Sequence, residues 1–75
     1  MTPAPEHLVE AVLLVSARPV RLGDLASAAG LSEDEAERAL QSLAGRYSPE
    51  RSGIVLRAVA GGHLLSTNPA CSAAV

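Results

Sequence analysis

Gly30-Leu31-Ser32-Glu33-Asp34-Glu35 is a helix stop followed at once by a helix start. Glycine takes the left-handed conformation that closes a helix without steric cost. Leu31 is a turn residue apolar enough to plug a core. Ser32 is a cap whose hydroxyl can accept from the backbone three residues on, and Glu35 completes the reciprocal S-x-x-E capping box. Two helices joined by so short a turn form a helix-turn-helix.

The third helix runs on from Ser32. Ala36, Ala39, Leu40, Leu43, Ala44 and Tyr47 recur at the 3.6-residue period and mark its buried stripe. Gly45 weakens its last turn. Upstream, Leu22 to Ala29 reads as a short second helix with Leu25, Ala28 and Ala29 facing inward. Pro19-Val20-Arg21 is an extended link. A first helix spans about Glu6 to Ser16, with Pro5 suited to its first turn and Arg18-Pro19 ending it. Leu8, Ala11, Val12 and Val15 share one face of it. Val9 and Leu13 widen that stripe, and Leu14 lies near Glu10 on the opposite side. A helix apolar on more than one face is covered on more than one side.

Downstream, Ser48-Pro49-Glu50-Arg51-Ser52-Gly53 is a loop by composition. Ile54 to Ala60 and His63 to Thr67 read as two strands about a Gly61-Gly62 turn. That turn pairs Ala60 with His63, Ala58 with Leu65 and Leu56 with Thr67. Those positions and Ile54 form one face; Val55, Val59 and Leu64 lie on the other beside Arg57 and Ser66. A β-bulge would swap part of this assignment. Three helices, the last two in a helix-turn-helix, followed by a hairpin, are the order of an α+β winged helix. The expected organisation is an N-terminal tail over 1–5, the winged helix over 6–67, and a loose tail or linker over 68–75.

The composition narrows what such a domain can do. The chain has 75 residues, 48% of them hydrophobic, and Tyr47 is its only aromatic residue. A domain this small buries only about 60% of its unfolded surface and gains from a partner surface. The net charge is −2, and all six basic residues are arginines. That is no electrostatic footprint for nucleic acid or anionic membranes. The start of the third helix, where winged-helix DNA readers place donors and positive charge, carries Glu33, Asp34, Glu35 and Glu37 against one arginine, Arg38. A duplex presents one phosphate charge per ~1.7 Å of axis and would repel this end. The same carboxylates complement the helix dipole, by about 0.3–1 kcal/mol each at exposed sites, so stability alone accounts for them.

Other chemistry finds little support. His7 and His63 have no nucleophile or carboxylate at a recognisable spacing. His7, His63 and Cys71 make no zinc pattern, and Gly61-Gly62 precedes no helix that could cradle a phosphate. The reading is of no enzyme, no metal and no cofactor. A lone cysteine fits a reducing compartment. The N-terminus has no signal-peptide pattern, and the longest apolar run, Ala11 to Val15, cannot span a bilayer. The chain reads as soluble and cytoplasmic.

Two surfaces are candidates for protein contact: Val9, Leu13 and Leu14 on the first helix, and Val55, Val59 and Leu64 on the back of the hairpin. Exposed together, the hairpin residues would form an apolar patch of the kind that marks an interface; covered by the helices, they would be core. The pattern is compatible with both. Were the domain a DNA-binding transcriptional regulator instead, Arg46, Arg51 and Arg57 would be its backbone contacts.

Glu10-Ala11-Val12-Leu13-Leu14-Val15-Ser16, Pro19-Val20, Leu25-Ala26, Gly30-Leu31-Ser32, Gly53-Ile54-Val55-Leu56 and Val59-Ala60-Gly61-Gly62-His63-Leu64-Leu65-Ser66-Thr67 together resemble the N-terminal half of the segregation and condensation protein B family. The hairpin block is the most specific part, and the resemblance covers about residues 6–70. Two positions depart from the family pattern. Arg21 stands where a Ser or Thr cap is usual, and His63 where an aromatic is usual. The resemblance implies the first of two winged-helix domains in an accessory subunit of a chromosome-condensing complex. It implies a homodimer that assembles with a kleisin subunit and, through it, a coiled-coil ATPase, associated with the nucleoid through the complex. Direct DNA or membrane binding by this stretch is not implied.

Overall fold

The computed structural model describes residues 3–74; Met1, Thr2 and Val75, the ends of the two expected tails, lie outside the described residues. Three helices precede a hairpin: α1 (Pro5–Val15), α2 (Leu22–Ala29), α3 (Glu33–Arg46), β1 (Ile54–Val59) and β2 (Gly62–Thr67), followed by a short 3-10 helix at Pro69–Ala74. This is the expected α+β winged helix.

Local chemistry sets each boundary. Pro5 occupies the first turn of α1, where a missing N–H is no loss. Arg21 precedes α2 in extended conformation with no side-chain cap, as the departure from the family pattern implied. Gly30 closes α2 at φ +71°, and Leu31 N–H donates to the Ala26 carbonyl at 2.8 Å. The capping box of α3 is complete. Glu35 N–H donates to Ser32 Oγ at 3.1 Å, and Ser32 N–H donates to Glu35 Oε1 at 3.0 Å.

The core is built from leucine, valine and alanine. Val9 and Leu13 of α1, Leu25 of α2, and Ala39, Leu40 and Leu43 of α3 form its centre, and Leu56 and Leu65 of the hairpin pack against it. The stripe expected on α1 is corrected: Ala11 and Val15 are exposed, while Val9 and Leu13 are buried. Polar contacts orient that face. Ser42 Oγ donates to Glu6 Oε2 at 2.6 Å and the Tyr47 hydroxyl donates to Glu10 Oε2, so α1 turns its two carboxylates toward α3. On α2 the buried small residue is Ala26 rather than Ala28, and Ala44 of α3 is exposed.

The hairpin register also differs from expectation. The turn is Ala60-Gly61, with φ +50° and +78°, and Val59 pairs with Gly62. Positive φ at both central residues is the signature of a type I′ turn. Ala58 therefore pairs with His63, Leu56 with Leu65 and Ile54 with Thr67. Gly62 is held off the turn by another demand. A Cβ there would lie 2.9 Å from Pro19 Cβ and 3.0 Å from its carbonyl carbon, so only glycine lets β2 cross the Pro19-Val20 link this closely. Val20 and His63 then exchange two backbone bonds of 2.8 Å each. The two-residue change in register keeps parity, so the two faces hold the residues expected of them.

The start of the expected tail is anchored at Asn68. Asn68 is buried; its Nδ2 donates to the Pro49 and Ser52 carbonyls at 2.9 Å each, and its Oδ1 accepts from Ala70 N–H at 2.9 Å. Asn68 N–H donates to the Gly53 carbonyl at 2.7 Å, which closes the base of the hairpin.

Candidate protein-interaction surface

The outward side of α1 carries apolar surface that none of the described residues covers. Leu14 is 69% exposed and Val15 83% exposed. Across from them Ile54, at the start of β1, is 40% exposed. A cleft of about 180 Å³ lies between the C-terminal end of α1 and the base of the hairpin. Leu13, Leu14, Ile54 and Leu65 line it together with Ser66 and Thr67. The Ser66 hydroxyl is buried with no hydrogen-bond partner among the described residues.

The structure divides the six residues expected at a protein contact. Leu14 lies on the surface. Val9 and Leu13 are core residues, 0% and 1% exposed, which corrects their placement on an outer face. The reason is the one that orients α1: with Glu6 and Glu10 bonded across to Ser42 and Tyr47, Val9 and Leu13 on that side of the helix point inward. Val55 is 5% exposed, also a correction, while Val59 and Leu64 are half-buried. The back of the hairpin is thus not an open apolar patch. Sequence reasoning missed Val15 and Ile54 as exposed residues. Their signal was faint: Val15 closes a helix, and Ile54 opens a strand next to a loop.

A second concavity lies between α3 and the hairpin. It encloses about 300 Å³, with Leu22, Leu40, Ala44, Leu56 and Ala58 as apolar lining and Glu37, Gln41 and His63 as polar lining. In a winged helix this is the side where a duplex would meet the third helix. Here Glu33, Asp34, Glu35 and Glu37 are all exposed along α3. Hydrogen bonds from the Ser32 backbone and hydroxyl hold the Glu35 carboxyl below the usual range, with a smaller contribution from Arg38, so its negative charge is reinforced.

The three arginines named as alternative backbone contacts are all exposed. Arg46 lies 3.9 Å from Glu10 and sits over the Tyr47 ring, 5.8 Å from its centroid. Arg51 and Arg57 are exposed, on the loop and on β1. The hydrogen bond that the Tyr47 hydroxyl donates to Glu10 raises its pKa above the ordinary value, with smaller contributions from burial and from the Glu10 charge. Among the described residues no group of three His, Cys, Asp or Glu side chains could hold a metal, and no helix is long and apolar enough to cross a membrane.

With this geometry in place, the relatives are informative. The model of the family described as segregation and condensation complex subunit ScpB matches residues 7–75. This chain belongs to that family. The segregation and condensation protein B of Symbiobacterium thermophilum is 34% identical over 62 residues, which cover 83% of this chain and 28% of that protein. The chain therefore spans little more than a quarter of that relative's length. Among solved structures, ScpB from Mycobacterium tuberculosis superposes with a TM-score of 0.85 at 28% identity, over 99% of this chain and 48% of that one. A structure described as a dimer of the ScpB N-terminal domain complexed with a ScpA peptide superposes with a TM-score of 0.83 at 27% identity. It covers 92% of this chain and 86% of that one, so the match is to an N-terminal domain nearly from end to end.

Proposed function

We propose that this chain is the N-terminal winged-helix domain of a chromosome segregation and condensation subunit, and that it works as a non-enzymatic adaptor. It forms a homodimer and helps hold a kleisin, which in turn engages a coiled-coil ATPase, in the cytoplasm at the nucleoid. The observation that carries this reading is the near end-to-end likeness to an N-terminal domain that is itself a dimer with a peptide bound. Family membership supports the segregation and condensation role. Two features of this chain agree with it. The acidic α3 is unsuited to a phosphate backbone, and Leu14, Val15 and Ile54 offer apolar area to a second protein surface.

Of the six contact residues named from the sequence, Leu14 is the one we retain as a principal dimer contact, together with the exposed Val15 and Ile54. Sedimentation equilibrium of the chain and of Leu14→Glu tests this. The chain should dimerise, and Leu14→Glu should weaken the dimer by tenfold or more while leaving the far-ultraviolet circular dichroism spectrum of the folded chain unchanged. A monomer at all accessible concentrations would reject the dimer; an unchanged association constant in Leu14→Glu would reject the α1 contact alone. Leu13→Glu is no substitute test, because a carboxylate in the core would unfold the domain.

A further inference from the structure

We propose that the groove between α3 and the hairpin takes an extended, cationic peptide segment, which adds itself as a strand to the outer edge of β1.

Three observations converge there. The first is the edge. Leu56 N–H points away from β2, since it donates to the Tyr47 carbonyl at 3.3 Å. Ala58 is two residues on and has the same orientation. Its partner His63 confirms this, because both backbone groups of His63 are directed outward to Val20. The Ala58 N–H and carbonyl therefore face outward, with no backbone partner among the described residues. The Ile54 and Leu56 N–H groups of this edge are already taken, by Ser52 Oγ and the Tyr47 carbonyl, so its open part is at Ala58, where one more strand can pair. The opposite edge, on β2, is already partly taken by Val20.

The second is the groove beside that edge. About 300 Å³ lies against Leu40, Ala44, Leu56 and Ala58, enough to receive alternate apolar side chains of a paired strand. The third is charge. Glu37 lines the groove, and Glu33 and Asp34 lie exposed on the same helix; none of the three is in an ion pair among the described residues. The complement is a strand carrying Lys or Arg between its apolar residues. A duplex supplies neither the backbone pairing nor the charge.

The inference rests on the adaptor reading in expecting a protein segment as ligand, and it assigns the surface and chemistry of that contact. The probe is a fluorescein-labelled synthetic peptide of alternating valine and lysine, read by anisotropy against the intact chain. A valine–glutamate peptide is the charge control. The lysine peptide should bind, more weakly as salt rises, and the glutamate peptide should not. Ala58→Pro removes the outward N–H and no β1–β2 bond, since proline is tolerated where an edge N–H faces solvent. It should weaken binding about fivefold or more, the worth of a lost backbone hydrogen bond. Glu37→Lys should abolish it. Both positions are exposed, and thermal melts check that both variants fold. Failure of the lysine peptide to bind, or equal affinity in Ala58→Pro, overturns the proposal; the second result would mean charge attraction without strand addition. Sedimentation of the same samples reports dimerisation separately, so loss of the dimer and loss of the peptide site are distinguishable.

Discussion

Replacing Gly62 with alanine should destabilise the domain by about 1–3 kcal/mol. Gly62 is buried in β2 where the hairpin crosses the Pro19-Val20 link. An alanine Cβ would stand 2.9 Å from Pro19 Cβ, 3.0 Å from the Pro19 carbonyl carbon and 3.1 Å from the Val20 carbonyl carbon. Two of these neighbours are backbone and the third belongs to a ring, so no flexible side chain can swing aside. The link must retreat by about half an ångström to restore ordinary contact. Overpacking of this kind costs about 1–3 kcal/mol. Retreat also stretches the two 2.8 Å bonds between Val20 and His63, each worth about 0.5–1.5 kcal/mol net. Alanine regains about 0.5–1 kcal/mol in a strand by narrowing the unfolded ensemble, which offsets part of the loss. Urea unfolding followed by circular dichroism measures the balance, and each kcal/mol lowers the melting temperature of a domain this size by about 4–8 °C. Gly45→Ala is the control. It lies in α3, with nothing within 4 Å of its added Cβ and no positive φ, so the same chemical change should stabilise by about 0.5–1 kcal/mol. If Gly62→Ala unfolded at the same urea concentration as the parent while Gly45→Ala gained stability, the close crossing would not be what selects glycine at position 62.

Three further outcomes follow from single side chains. Ala60→Asn should stabilise by about 0.5–1 kcal/mol, because asparagine tolerates the φ of +50° better than alanine and Asn-Gly is the favoured type I′ pair; a lower urea midpoint would contradict the turn assignment. Asn68→Ala should cost about 1–3 kcal/mol by removing the bonds to the Pro49 and Ser52 carbonyls, read in the same urea experiment, and an unchanged midpoint would mean that this anchor is dispensable. The Tyr47 hydroxyl, as the only aromatic group, can be titrated directly by tyrosinate absorbance. Its midpoint should lie above the ordinary 10.0 and fall in Glu10→Gln. Because the folded pKa is raised, the stability this hydroxyl contributes is whole below about pH 10 and is lost as pH rises through the folded value. A midpoint at or below the ordinary value would remove Glu10 as its partner.

The helix-turn-helix was legible because its signals are local. Gly30, Ser32 and Glu35 each act within one turn, and the structure realises all three roles. The hairpin was legible in its existence and its faces but not in its turn. Gly61-Gly62 offered two glycines where the turn needed one, and what claims Gly62 is a steric demand from Pro19, more than forty residues away along the chain. The face of α1 was misjudged for the same kind of reason. An all-round apolar helix has no period to choose a face, and the choice falls to the long-range partners of Glu6 and Glu10. The candidate surface was read least well. Leu14 alone among the α1 candidates lies outside, and the groove between α3 and the hairpin arises only when two elements distant in sequence come together.

The turn at Ala60 also orders events in time. An isolated two-stranded hairpin is marginal in water, and one whose turn holds an alanine at φ +50° carries an added penalty of about 1–2 kcal/mol. The hairpin therefore cannot lead folding. The capped α3, packed through Leu43 and Leu40 in one core with α1 and α2, gives the hairpin its docking points, the Tyr47 carbonyl and the Val20 backbone. The expected transition state is a helical nucleus with an unformed wing, and φ-values check it: substitutions in the helices should slow folding, whereas substitutions in the wing should chiefly hasten unfolding. A wing that closes last also opens first, so the lifetime of the edge that would take a peptide should follow the wing's own opening rate rather than the stability of the whole domain.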